Sequence, residues 1–193
     1  MKRLIRIIFY VYKLPVFAIG YTGDRKKKIL MDACRWLNKN TWGVGMLDVF
    51  DLLLKNKNFA SVYNYRFKDN VVLYKIKKII FKDNWNIELN TDDIGGGIMV
   101  LHHLGAVISA EKIGENCTIS QGVTIGFRGG NRYDGTRDKP IIGDNVRIGT
   151  NSVVIGGIDI GNNVVIGAGS LILKSVDDNT VVAGNPQKVL TKH

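Results

Sequence analysis

The sequence predicts a mainly β protein, a parallel β-helix preceded by a small α-helical domain, and two patterns and a boundary predict it. Apolar residues recur every six positions at Val107, Ile113, Ile119 and Ile125, and again, after an interruption, at Ile142, Ile148, Val154, Ile160, Ile166 and Ile172. Gly follows in Ile113-Gly114, Ile125-Gly126, Ile142-Gly143, Ile148-Gly149, Ile160-Gly161 and Ile166-Gly167, and Asn closes Glu115-Asn116, Asp144-Asn145 and Asn162-Asn163. The first 82 residues lack this phase and carry helix-like apolar spacing instead.

A period of six belongs to neither common element, since an amphipathic helix repeats near 3.6 residues and a half-buried strand at 2. Gly and Asn tolerate positive φ and so make sharp corners. One aliphatic side chain per six points inward, a short strand runs along a flat side, and the chain turns. Three sides complete a coil, and coils stack at the inter-strand spacing of about 4.8 Å.

In chain order, residues 1–82 form the helical domain, with Gly only at Gly20, Gly23, Gly43 and Gly45. Helices are expected across Ile29-Leu30-Ala33-Cys34-Leu37 and Leu47-Phe50-Leu53-Leu54, with a looser one from Val71 to Ile80. Residues 83–183 form the repeat, interrupted by a polar loop at 127–140, and residues 184–193 are a tail opened by Pro186. Loops of this length inside a compact repeat are more often functional than idle.

The formal charge of +10 concentrates in the first half, at Lys2-Arg3, Arg25 to Lys28, and Lys75, Lys77, Lys78 and Lys82. No nucleic-acid motif accompanies it, so nucleic acid is not an expected partner. The segment Leu4 to Ile19 is aromatic and aliphatic but broken by Arg6, Lys13 and Pro15, and is short for a membrane span. It has no small-residue cleavage site of signal-peptide type. Peripheral adsorption to an anionic membrane and packing against the helical domain both fit it. Cys34 and Cys117, one per domain, fit reduced thiols in a cytoplasmic protein.

Three histidines exist, His102, His103 and His193. The first two lie where the rhythm slips: Ile94 and Val100 keep one register, and Val107 and its successors another. A slip re-aims side chains as a bulge does.

The runs at 119–126 and 142–146, Ile-Gly-Ala-Gly-Ser at 166–170 and Ala-Gly-Asn-Pro at 183–186 resemble the hexapeptide-repeat acyltransferases. Within that superfamily they are most similar to serine acetyltransferases and to enzymes that O-acetylate surface sugars. The resemblance covers residues 86–190 or so, about half the chain, and implies a left-handed parallel β-helix, a homotrimer with active sites between subunits, and acetyl-CoA as donor without a metal. His102, Gly105, Val107 and Ile108 match the family pattern His-x-x-Gly-x-Val-Ile, which makes His102 the base and His103 a neighbour on the acceptor side. Acetyl transfer to a hydroxyl needs such a base, and a neutral imidazole suits it.

The family orients its base with an acidic residue one coil earlier. Ile87-Glu88-Leu89 resembles that run and makes Glu88 the candidate, although the stretch to Ile94 is one residue short, which leaves Asp92 and Asp93 as alternatives. The same resemblance puts donor contacts at Gly126, Gly149, Thr150, Gly167 and Ala168, with Lys174 and Lys188 near the CoA phosphates. The loop occupies the place of the family's active-site loop. Its Arg128, Arg132 and Arg137 fit either a phosphate or carboxylate, or plain solubilising charge. Where many serine acetyltransferases carry His-Pro, this chain has Asp138-Lys139-Pro140, which points away from serine.

The expected activity is therefore O-acetylation of a sugar hydroxyl in surface-polysaccharide biosynthesis, with serine O-acetylation as the alternative. A zinc hydratase on this fold would need three converging imidazoles, and the repeat offers two adjacent ones. A trimeric scaffold without activity is the alternative of another class.

Overall fold

The computed structural model describes residues 13–40, 43–102, 105–129 and 137–192. The chain divides into two compact units, Met1–Asn84 and Trp85–His193.

In the first unit residues 13–18 are helical, followed by α1 (Gly23–Leu37), α2 (Met46–Lys55), α3 (Lys57–Tyr65) and α4 (Val71–Ile80). Asn38 ends α1 in the left-handed region at φ 52°. Asn56 caps α3, its side chain accepting from the N–H groups of Asn58 and Phe59, and Asn70 caps α4 by accepting from Leu73. The core is aromatic: Phe17, Phe50, Phe59, Tyr63, Phe67 and Phe81 are all buried, with Phe17 stacked on Tyr63 at 5.7 Å.

Helix α3 has no counterpart among the sequence expectations. Every residue from Asn58 to Tyr65 is buried, so no polar face exists to reveal a period. Its polar members are partly satisfied inside, with Asn64 donating to the Phe81 carbonyl and Asn58 accepting from the Asn84 amide, while the Asn64 side-chain oxygen is buried without a hydrogen-bond partner among the described residues.

The second unit is a parallel β-helix with three faces. The first holds β1 (Ile87–Leu89), β4 (Ala106–Ile108), β7 (Thr124–Gly126), β10 (Val153–Ile155) and β13 (Leu171–Ile172). The second holds β2 (Asp93–Ile94), β5 (Lys112–Ile113), β8 (Ile141–Ile142) and β11 (Asp159–Ile160). The third holds β3 (Met99–Val100), β6 (Thr118–Ile119), β9 (Arg147–Ile148), β12 (Val165–Ile166), β14 (Thr180–Ala183) and β15 (Lys188–Lys192).

Nine of the ten phased residues point inward and are at most 2% exposed. A second buried column lies two residues earlier, in Cys117, Val123, Val146, Ser152, Val164 and Ser170. Cys117 is therefore an inward residue, its thiol donating to the Gly143 carbonyl. At the corners from the second to the third face, Asn145, Asn163 and Asn179 take φ near 57° and their amides form a ladder at 3.1 and 2.8 Å.

Val107 corrects the sequence reading. It faces outward at 42% exposure, and Ile108 takes the inward place at 0%. Eight residues rather than six separate Val100 from Ile108, and only five separate Ile108 from Ile113. The long step falls between the third face and the first, and the short step restores the phase.

The tail is a strand rather than a loose end. After a cis Asn185–Pro186 bond, β15 pairs antiparallel with β14 and finishes the third face.

Candidate functional site

The step from Val100 to Ile108, two residues longer than the repeat, leads from the third face into the first. His102 sits in it, exposed, with φ 63°, in the left-handed region that non-glycine residues seldom adopt. Gly105, at φ 69°, closes the corner, and the Ala106 N–H then bonds the Asn86 carbonyl of the coil below.

Along this same border each coil hydrogen-bonds to the next. The Gly122 N–H bonds the Gly105 carbonyl at 2.6 Å, Asn151 bonds Gln121 at 3.0 Å, and Gly169 bonds Thr150 at 2.8 Å. The structure thereby brings Gly149, Thr150, Gly167 and Ala168 into the column that begins at His102, about 10 and 14 Å along it at the coil spacing. The two glycines also serve the stack itself. A Cβ on Gly149 would fall 2.5 Å from the Ala168 nitrogen, and one on Gly167 would fall 2.7 Å from the Ala183 Cβ.

Glu88 lies on the outer surface of the first face, exposed, in register with Val107. Its Oε1 accepts from the Asn90 amide at 2.5 Å. The alternation of a strand puts residues 88 and 90 on one side, where the two meet. Asp93 stands on the second face, with Lys112 at 3.9 Å, and Asp92 precedes it at the corner. Of the three carboxylates, only Glu88 shares the face into which the His102 corner leads.

Gly126, Lys174 and the loop lie at the opposite border of the first face. Gly126 ends β7 there, with open space where a Cβ would stand. Lys174 follows β13, and Gln187 clamps it: the side-chain oxygen accepts from the N–H groups of Leu173 and Lys174 at 2.8 and 2.9 Å, and the amide donates to the Lys174 carbonyl at 3.2 Å. Lys188, the next residue, pairs instead with Ala183, which stacks on Gly167 at the His102 border, and both lysines are exposed.

The loop also leaves from this second border. Arg128 is exposed beside Phe127, and Asp138 is half-buried. Arg137 has a structural partner: its guanidinium pairs with Asp159 at 2.8 Å and donates to the Gly157 carbonyl at 3.0 Å, pinning the returning end of the loop. His103 and Arg132 lie outside the described residues. Among the described residues no three His, Cys, Asp or Glu are grouped to hold a metal ion, and no helix is long and apolar enough to cross a membrane.

A stack of six-residue sides with a histidine corner at the head of a small-residue column defines a hexapeptide-repeat transferase. Residues 139–174 match the family described as bacterial transferase hexapeptide (six repeats). The chain is 37% identical over 162 residues to the putative colanic acid biosynthesis acetyltransferase WcaB of Escherichia coli K12, covering 79% of this chain and 95% of that protein. It is 46% identical over 98 residues to serine acetyltransferase 1, chloroplastic, of Arabidopsis thaliana, covering 50% of this chain and 30% of that protein. Among solved structures, soybean serine acetyltransferase complexed with serine superposes with a TM-score of 0.65 at 26% identity, over 90% of this chain and 72% of that one. The chain belongs to the hexapeptide-repeat acetyltransferase family. It spans under half the length of the serine acetyltransferases it matches in sequence.

Proposed function

We propose that this protein is an acetyl-CoA-dependent O-acetyltransferase whose acceptor is a sugar hydroxyl of a surface polysaccharide or its precursor. The observation that carries the chemistry is the left-handed corner that presents His102 at the head of the Gly149-Thr150 and Gly167-Ala168 column. The pantetheine arm lies along that column, with Lys174 and Lys188 meeting the CoA phosphates. His102 takes the proton of the acceptor hydroxyl as its oxygen attacks the thioester carbonyl. Backbone N–H groups steady the tetrahedral oxyanion. Its collapse breaks the carbon–sulfur bond, and the proton held on His102 passes to the departing CoA thiolate. Glu88, held by Asn90, orients the imidazole from its other side.

The sugar acceptor is supported by coverage: the match to the colanic acid acetyltransferase runs over 95% of that protein. Arg128 and Asp138, with His103 and Arg132, form the acceptor side, while Arg137 holds the loop in place. The active unit is a homotrimer. Serine O-acetylation is the second reading, favoured by the 46% identity to a serine acetyltransferase across the coils.

The test is thiol release from acetyl-CoA with a panel of sugar acceptors and, separately, with L-serine, running His102→Ala beside the parent protein. Release with a sugar, lost in the variant, supports the reading. Serine-dependent release lost in the variant replaces it with the second reading, and release that survives in His102→Ala removes His102 as the base.

A further inference from the structure

Helix α4 is built inside out. Lys77 is 0% exposed, whereas Val72, Ile76 and Ile79 are 69%, 42% and 75% exposed. At the helical repeat those three aliphatic residues fall within an arc of about 60°, with Lys75 along one margin and Lys78 further round. A half-turn rotation would bury the aliphatics and free the lysine, as ordinary amphipathic packing demands.

The interior bars that rotation. The Lys77 Nζ donates to the carbonyls of Val16 and Phe17 at 2.7 and 3.2 Å and to the Tyr63 hydroxyl at 2.9 Å, and lies 4.1 Å from the Phe67 ring centre. One buried amine thus ties α4 to α3 and to the last turn of helical residues 13–18. It fixes the aliphatic face outward.

We propose that this outer face of α4 docks on an anionic phospholipid surface. Charge selects the occupant. Eighteen of the 27 Lys and Arg residues but only six of the 17 Asp and Glu residues lie in residues 1–84, a formal charge of +12 against −2 for the remainder. A second copy docked by a twofold contact would bring Lys75 and Lys78 against their like. Nucleic acid would meet the charge but leave the aliphatic stripe in water. An anionic bilayer takes both: Val72, Ile76 and Ile79 enter between headgroups while Lys75 and Lys82, both exposed, stay at the level of the phosphates with their stems along the apolar layer. Lys78 is shared with Asp83 at 3.2 Å, so Lys75 and Lys82 carry most of the attraction. Each such lysine is worth about fivefold in affinity near the surface.

The full chain is floated with phosphatidylcholine vesicles, with and without phosphatidylglycerol, at low and high salt and without acetyl-CoA. The parent is compared with Val72→Ser/Ile76→Ser/Ile79→Ser and with Lys75→Glu/Lys82→Glu, both of which keep residues 1–12 unchanged. Binding at least about tenfold stronger to the anionic vesicles, weakened by salt, lowered about tenfold in the serine variant and at least about 25-fold in the charge variant, is expected. Equal binding to both vesicle types, or variants that float like the parent, would overturn the proposal. So would a parent that sediments as a larger particle than the serine variant, because a second copy would then cover the stripe. Should the serine variant fail to fold by circular dichroism, the charge variant carries the test. Failure here leaves the acetyl-transfer reading untouched, since that reading is tested by thiol release.

Discussion

Glu88 and Val107 are register partners on neighbouring parallel strands, both turned outward. The pairing places a carboxylate on the face that begins at the His102 corner. It also explains why Val107, aliphatic and in phase, is not part of the interior.

His102 and Glu88 are both exposed, so their replacement tests chemistry rather than folding. His102→Ala is expected to lower kcat by about 10²- to 10⁴-fold with an unchanged Tm. Glu88→Gln is expected to lower kcat by about tenfold with little change in KM for acetyl-CoA, and Glu88→Asp to recover part of the loss. Steady-state kinetics on the three variants check this, and a Glu88→Gln enzyme with parent kcat would return the role to Asp92 or Asp93.

Gly149 and Thr150 are adjacent in the proposed donor column, yet they should fail differently. A Cβ at 149 meets the Ala168 backbone at 2.5 Å, so Gly149→Ala is expected to cost about 1–3 kcal/mol and lower Tm by several degrees. Thr150 is half-exposed, so Thr150→Tyr should keep its Tm and raise KM for acetyl-CoA. Thermal unfolding beside acetyl-CoA titration separates the two.

Gln187 makes three hydrogen bonds to the turn after β13. At about 0.5–1.5 kcal/mol each, the loss of all three in Gln187→Ala is expected to destabilise the protein by about 1.5–4.5 kcal/mol. Limited proteolysis should cut residues 184–193 earlier in the variant than in the parent. Equal cleavage rates would mean that the pairing of β14 with β15 holds the tail without the clamp.

Lys77 gives the helical unit a pH signature. Burial, with the charge of Arg25 second, pulls its ammonium down from 10.5 to about 7. Between these values the unfolded chain holds one more proton than the folded one. Stability therefore rises with pH across that window, by up to about 1.4 kcal/mol per pH unit, and this contribution is flat below the window. Urea unfolding of the parent and of Lys77→Met over about pH 6 to 10 should show the slope in the parent alone. Identical slopes would remove Lys77 as its source.

The sequence by itself determined the β-helix, because the coil is a local device. Each side needs one inward aliphatic residue and a corner that Gly or Asn can make, and the printed order from Ile113 to Ile172 meets that need side by side. The slip that carries His102 was legible for a related reason, since a break in so regular a rhythm stands out. The tertiary structure decided what depends on neighbours distant in the chain. Backbone bonds between coils, not spacing along one coil, gave the inward place to Ile108 instead of Val107. Helix α3 was invisible because it is buried on all sides and so carries no period. The packing of one coil against the next also assigned Arg137 to Asp159, set Gln187 on Lys174, and placed Gly149 and Gly167 at one border of the first face and Gly126 and Lys174 at the other, for which residue order carries no signal.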